Sequence, residues 1–134
     1  MYKNVSALIC FTLILFIGQG FSQVTKGKAI DSAKVFFPLT ECDFGILSQG
    51  GDGSCVFVFE NTGNIPLIIR KVKASCGCTS PFWPERPILP GETEEVTVVY
   101  DTQRLGEFNK TITFLSNAKS VVLKVKGEVI KKDD

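Results

Sequence analysis

The chain has 134 residues, 15 basic against 14 acidic for a net charge of +1, 44% hydrophobic residues and no histidine. A balance this close to zero gives no overall attraction to nucleic acid or to an anionic lipid surface. The lack of histidine removes Ser-His-Asp and Cys-His nucleophile pairs, imidazole proton transfer and every metal site that needs an imidazole ligand.

Residues 1–22 read as a secretory signal peptide. Lys3 supplies the positive start, Val5 to Ile17 is almost wholly apolar, and Gly20 and Ser22 are small residues at cleavage spacing. The apolar run of about 13 residues falls short of the roughly 20 that a membrane-spanning helix needs, with a membrane anchor as the runner-up reading. Cys10 is expected to leave with the signal, since the bulky Ile9 before it does not suit lipid attachment. Removing Lys3 leaves acidic and basic residues in balance and no integral membrane segment. Export to the periplasm, the cell envelope or the extracellular space implies an oxidising compartment. Cys42, Cys55, Cys76 and Cys78 are therefore disulfide candidates first.

Residues 23–33 are polar and patternless, which predicts a disordered leader before a domain spanning 34–130. Val35 to Phe37 makes a short strand that Pro38 confines to an edge. Thr40 to Ile46 follows, bent at Asp43-Phe44-Gly45, with Phe44 as a core candidate. The glycine-rich run 48–54 is a turn. Cys55 to Glu60 alternates, with Cys55, Phe57 and Phe59 on one face and Val56 and Val58 on the other. Asn61 to Asn64 turns the chain into a strand from Leu67 to Ala74.

Residues 74–92 hold Cys76, Gly77 and Cys78, the single tryptophan Trp83, and prolines at 81, 84, 87 and 90. Proline fixes φ and removes a donor, so this stretch is expected to be extended and to cross from one sheet to another. Glu94 to Asp101, Phe108 to Leu115 and Lys119 to Ile130 complete the strands, with Val96, Val98, Tyr100, Ile112, Phe114, Leu123 and Val125 inward. Residues 131–134 form a self-cancelling charged tail expected to fray. About seven short strands with regular turn signals predict an all-β chain, an immunoglobulin-like antiparallel β-sandwich, with a barrel as the alternative. The immunoglobulin pattern of two core cysteines bridged over a strand tryptophan is absent, because Trp83 stands in a proline loop.

Several of these segments recur together in a known family. Asp43-Phe44-Gly45, Phe59 to Gly63, Ser75-Cys-Gly-Cys-Thr79, Trp83-Pro84, Pro87-Ile88, Pro90-Gly91-Glu92, Val98 to Tyr100, Gly106 to Ile112 and Ser116-Asn117 occur in this order. The chain resembles a bacterial family of exported immunoglobulin-like domains of unknown function, itself distantly similar to hydin-type and major-sperm-protein-type domains. The resemblance covers roughly residues 35–129. It implies a sandwich fold and an envelope or extracellular location, and it implies no activity.

Four cysteines allow three pairings. The preferred one is Cys42–Cys55 with Cys76–Cys78. The first two flank a glycine-rich turn, where adjacent antiparallel strands would bring their Cα atoms within disulfide range, and both are additions to the family pattern. Cys76 and Cys78 have three readings: a structural bridge or quiet thiols pinning the crossing loop, a redox-active dithiol, or a two-sulfur Cu(I) site. Gly77 is expected to help by adopting an unusual backbone conformation. Phe82 and Trp83 are candidates for a protein or glycan contact, against the reading that Trp83 closes the open end of the sandwich. Asp43, Asp52, Glu92, Glu94 and Glu95 are scattered and make no catalytic pair. The expected function is a non-catalytic exported module that binds or scaffolds a protein partner in the envelope and uses no cofactor. The alternative is a thiol-dependent redox or Cu(I)-binding role at Cys76 and Cys78.

Overall fold

A computed structural model of the chain describes Gly27, Ile30 and residues 31–133. The expected signal peptide and most of the expected leader lie outside the described residues. Eight strands follow in chain order: β1 (Val35–Phe36), β2 (Glu41–Ser48), β3 (Ser54–Asn61), β4 (Ile69–Ala74), β5 (Thr79–Phe82), β6 (Thr93–Tyr100), β7 (Gly106–Ser116) and β8 (Val121–Ile130). They form two four-stranded sheets, ordered β1-β3-β6-β5 and β2-β8-β7-β4. Among the described residues no helix is long and apolar enough to cross a membrane.

The all-β immunoglobulin-like sandwich expected from the alternating strands is therefore present, with two corrections. The strands number eight rather than about seven, because Thr79–Phe82 in the proline segment pairs with β6. Pro81 hides this strand in the sequence, yet β5 is an edge, where a residue without an amide donor is tolerated. The sheets are also not wholly antiparallel, since β2 runs parallel to β8. Parallel neighbours need a long connection, and here that connection is the rest of the domain.

The expected strand from Leu67 begins two residues later, at Ile69. Leu67 instead exchanges two backbone hydrogen bonds with Ile88, 2.8 and 2.9 Å long, which tie the approach to β4 onto the proline segment. The ordered domain also starts slightly earlier than expected. Ser32 N donates to the Asn64 Oδ1 at 2.8 Å, Asn64 N to the Ser32 carbonyl, and Thr62 N to the Lys34 carbonyl. Gly63 permits this close approach, because a Cβ there would run into the Ser32 carbonyl oxygen and the Lys34 nitrogen.

The core lies between the sheets. Phe57, Phe59, Val96, Val98 and Tyr100 come from one side, and Val72, Ile112, Phe114, Leu123, Val125 and Val129 from the other. Each such side chain taken from water contributes roughly 1.5–3 kcal/mol. Phe37, Phe59 and Phe114 pack as a triad with centroids 5.2–5.4 Å apart, and Tyr100 stacks on Phe108 at 3.7 Å. Phe44 is half-buried, 5.9 Å from Phe108. The bend expected at Asp43-Phe44-Gly45 is an irregularity in the β2–β8 register, with Gly45 at φ 64° and its amide donating to Asp43 Oδ1 at 2.8 Å.

Candidate functional site

The candidate site has three parts: the Cys-Gly-Cys crossing, the proline segment that follows it, and the outward side of the sheet that this segment joins.

The crossing runs from the end of β4 to the start of β5, which belong to different sheets. Ser75 N donates to the Thr111 carbonyl at 2.9 Å on one side, and Asp101 N to the Cys78 carbonyl at 2.8 Å on the other. Between these anchors Cys76 and Cys78 stand with Cα atoms 5.3 Å apart and sulfurs at bonding distance. Cys78 is buried and Cys76 half-buried. The Cys78 amide donates to Cys76 Sγ at 3.3 Å, and the Thr79 hydroxyl lies 3.8 Å from both sulfurs. The expectation for Gly77 needs correcting: its φ is not positive, and a Cβ there would meet nothing within 4 Å. Among the described residues no group of three or more His, Cys, Asp or Glu side chains could hold a metal ion.

Cys42 and Cys55 are also at bonding distance, with Cα atoms 6.7 Å apart. Their expected proximity holds, but not for the expected reason. β2 and β3 are not neighbours in a sheet; Cys42 projects from the edge of one sheet and Cys55 from inside the other. The pair thus spans the sandwich. Hairpin reasoning from the glycine-rich turn could not reveal this, because that turn carries the chain between sheets rather than along one.

Phe82 and Trp83 part company. Phe82 is 60% exposed on the outward side of β5, whereas Trp83 is half-buried and packs against the core. With Pro81 and Glu85 they line a shallow hollow at the sheet edge. The rest of the proline segment is held by charge. Arg86 bridges Glu92, at 3.0 Å, and Glu94. Glu92 Oε2 also accepts the Leu89 amide at 2.7 Å. That amide first, and then Arg86, hold the Glu92 carboxyl below the usual glutamate range. Gly91, at φ 81°, makes the turn that lets its amide reach the Asn61 carbonyl at 2.8 Å. Pro90-Gly91-Glu92 is therefore a clamp on the loop, and its carboxylate has a structural assignment.

Asn61 is the central pin of this end. Its side chain is fully buried, its Nδ2 donates to the Ile65 and Ile88 carbonyls at 2.9 Å each, and its Oδ1 accepts the Gly63 amide. Asn117, from the other sheet, grips the same segment through the Ile68 amide and the Pro66 carbonyl. The sequence placed Asn61 in a turn and both asparagines in segments shared with the family, but gave neither a bonding role.

The outward side of the β1-β3-β6-β5 sheet emerges only when the strands are placed in register. Val56, Thr97 and Phe82 form one cross-strand row, and Ser54, Val99 and Ser80 the next. Val56, Val58, Val99 and Phe82 are all exposed. Glu60 and Glu95 are the only charged strand residues on this side. Its sequence signal was the apolar character of β3 on both faces, since a strand solvated on one side normally alternates.

Solved structures share the fold. A protein of unknown function from Porphyromonas gingivalis W83 aligns with a TM-score of 0.65 at 21% identity, covering 73% of this chain and 47% of its own. This chain thus spans about half the length of that protein. The human CEP192 ASH/PapD-like domain 7 aligns with a TM-score of 0.66 at 9% identity, covering 77% and 89%. The chaperone–tip adhesion subunit complex CsuC–CsuE of Acinetobacter baumannii aligns at 0.53 and 7% identity, covering 73% and 57%. At these identities the likeness concerns the fold alone. No curated protein sequence matches the chain. The family profile described as "Protein of unknown function (DUF1573)" matches residues 35–129, the whole sandwich from β1 to the end of β8, and the chain belongs to that family.

Proposed function

We propose that this protein is a non-catalytic, exported immunoglobulin-like module that binds a protein partner in the cell envelope through the outward side of its β1-β3-β6-β5 sheet. The observation that carries the reading is the patch of exposed Val56, Val58, Val99 and Phe82 spread over adjacent cross-strand rows, with the edge strand β5 at its side. Isolated exposed apolar residues are ordinary, but a contiguous patch marks a contact surface. The sparsely charged face suits a largely apolar partner surface, and the edge strand β5 can add a strand. The fold also occurs in a chaperone–tip adhesion subunit complex, so it is compatible with engaging another polypeptide.

Export follows from the Lys3, Val5–Ile17 and Ser22 pattern, and it agrees with two cysteine pairs placed for bridging. Both pairs are disulfides in the exported protein on this reading. Phe82 belongs to the contact, while Trp83 supports it from beneath.

The test is cross-linking in intact envelope fractions from cells producing the wild type, Val56→Lys, Phe82→Lys, or Val122→Lys. Val122 is equally exposed but lies on the other sheet. The cross-linked product should disappear with the first two variants and persist with the third. Equal retention in all of them, or equal loss in all of them with the fold intact, overturns the assignment.

A further inference from the structure

We propose that Cys76 and Cys78 form an exchangeable dithiol–disulfide couple in which Cys76 is the sulfur that meets the outside thiol. This goes beyond the binding role and stands or falls independently of it.

The two cysteine pairs are placed for different tasks. Cys42–Cys55 ties one sheet to the other across 13 positions of sequence. Cys76–Cys78 spans a separation of 2, so its bridge restrains little of the unfolded chain. The crossing is already anchored at both ends by the Ser75 and Asp101 amides. Among the described residues, a Cβ on Gly77 would meet nothing within 4 Å, so the turn between the two cysteines is not packed over at that point.

The two sulfurs are also inequivalent. Cys78 is 5% exposed, whereas Cys76 is half-buried and reachable. Cys76 Sγ accepts the Cys78 amide at 3.3 Å. Backbone donors and nearby cations favour a thiolate over a thiol. The Thr79 hydroxyl, 3.8 Å from both sulfurs, can turn its proton toward whichever one carries the charge. The β4–β7 ladder ends at the Ala74–Ile112 pair, so Cys76 lies just beyond it, in the crossing itself.

The chemistry needs a small-molecule or protein thiol as co-reactant. An incoming thiolate attacks Cys76 Sγ. The Cys76–Cys78 bond breaks, and Cys78 leaves as a thiolate that takes a proton from water. A second thiol, deprotonated, attacks the outer sulfur of the mixed disulfide and releases Cys76 as a thiolate. In net terms the bridge gains two electrons and two protons while two thiols become one disulfide; the reverse sequence reduces a disulfide on another molecule. Cys76 is the exchanging sulfur, Cys78 the resolving one, and Thr79 a positioning residue.

The experiment uses the purified mature chain in native glutathione buffers, with each cysteine's state read by alkylation and peptide mass spectrometry. Cys76 and Cys78 should be reduced at least about tenfold faster than Cys42 and Cys55. Cys78→Ser should trap glutathione on Cys76. Alkylation of reduced Cys76 should show a pH midpoint below the free-thiol value of about 8.5, and Thr79→Val should raise that midpoint. Reduction no faster than that of Cys42–Cys55 overturns the proposal. So does preferential capture of glutathione on Cys78 in the wild-type chain, a measurement that does not depend on any variant folding.

Discussion

The outward side of the β2-β8-β7-β4 sheet carries Glu41, Asp43, Lys71, Lys73, Lys124 and Lys126, while the opposite outward side offers valines, Phe82, threonines and only two carboxylates. The inner sides of the same sheets do not differ in this way, because both bury Val, Ile, Leu and Phe against one shared core. Folding demands apolar residues inside and constrains the outer side far less. A difference confined to the outside therefore reports what each surface meets. The charged face also exposes Val122 and Leu115, but among lysines and carboxylates that keep it wet; the sparsely charged one has the composition of a surface that is covered in use.

The comparison assumes that the two sheets form one unit, and the strongest way to break it is to cut what joins them. Replacing Cys42 and Cys55 together by serine should cost about 3 kcal/mol, the chain-entropy value for a loop of this size. Urea unfolding should still show one transition at a lower midpoint. Two separate transitions would mean that the faces belong to independently stable layers.

A smaller effect separates the two asparagines that hold the same segment from opposite sheets. Asn61→Ala removes three hydrogen bonds from a fully buried site and should cost about 2–3 kcal/mol. Asn117→Ala, whose bonds are exposed to water, should cost about 1 kcal/mol or less. Equal losses in denaturation midpoints would remove the distinction.

The smallest expected effect sharpens the electrostatic side of the contrast. On the charged face, Lys126 bonds Glu41 at 2.6 Å and holds its carboxyl below the usual glutamate value of 4.5. A carboxylate with a depressed folded pKa stabilises the fold above its ordinary value, and that stabilisation is lost as pH falls through the depressed value. Stability should therefore decline slightly from pH 4.5 downward, and Lys126→Met should flatten that part of the profile. Both groups are exposed, so an unchanged profile above pH 5 is equally required.

Much of the architecture was legible because alternation is local. Phe57 and Phe59, Val96 and Val98, and Ile112 and Phe114 announce their inward faces within a few residues of chain. The proline segment was legible as a crossing, but its strand β5 was not, since Pro81 breaks a central strand but is tolerated at an edge, and edges are defined only by neighbours. Of the candidate site, the cysteines were legible as disulfide candidates. Phe82 and Trp83 could not be told apart until β5 acquired a register that sent one outward and left the other against the core.

The sequence by itself determined the all-β sandwich and the inward residues of most strands, because side-chain alternation and turn composition act over short stretches of chain. Tertiary structure alone decided that β2 lies parallel to β8, that Cys42 and Cys55 reach each other across the core, and that valines from separate strands form one surface with Phe82. Those outcomes depend on which distant segments become neighbours, a choice made by the packing of the whole core and not written in any one segment.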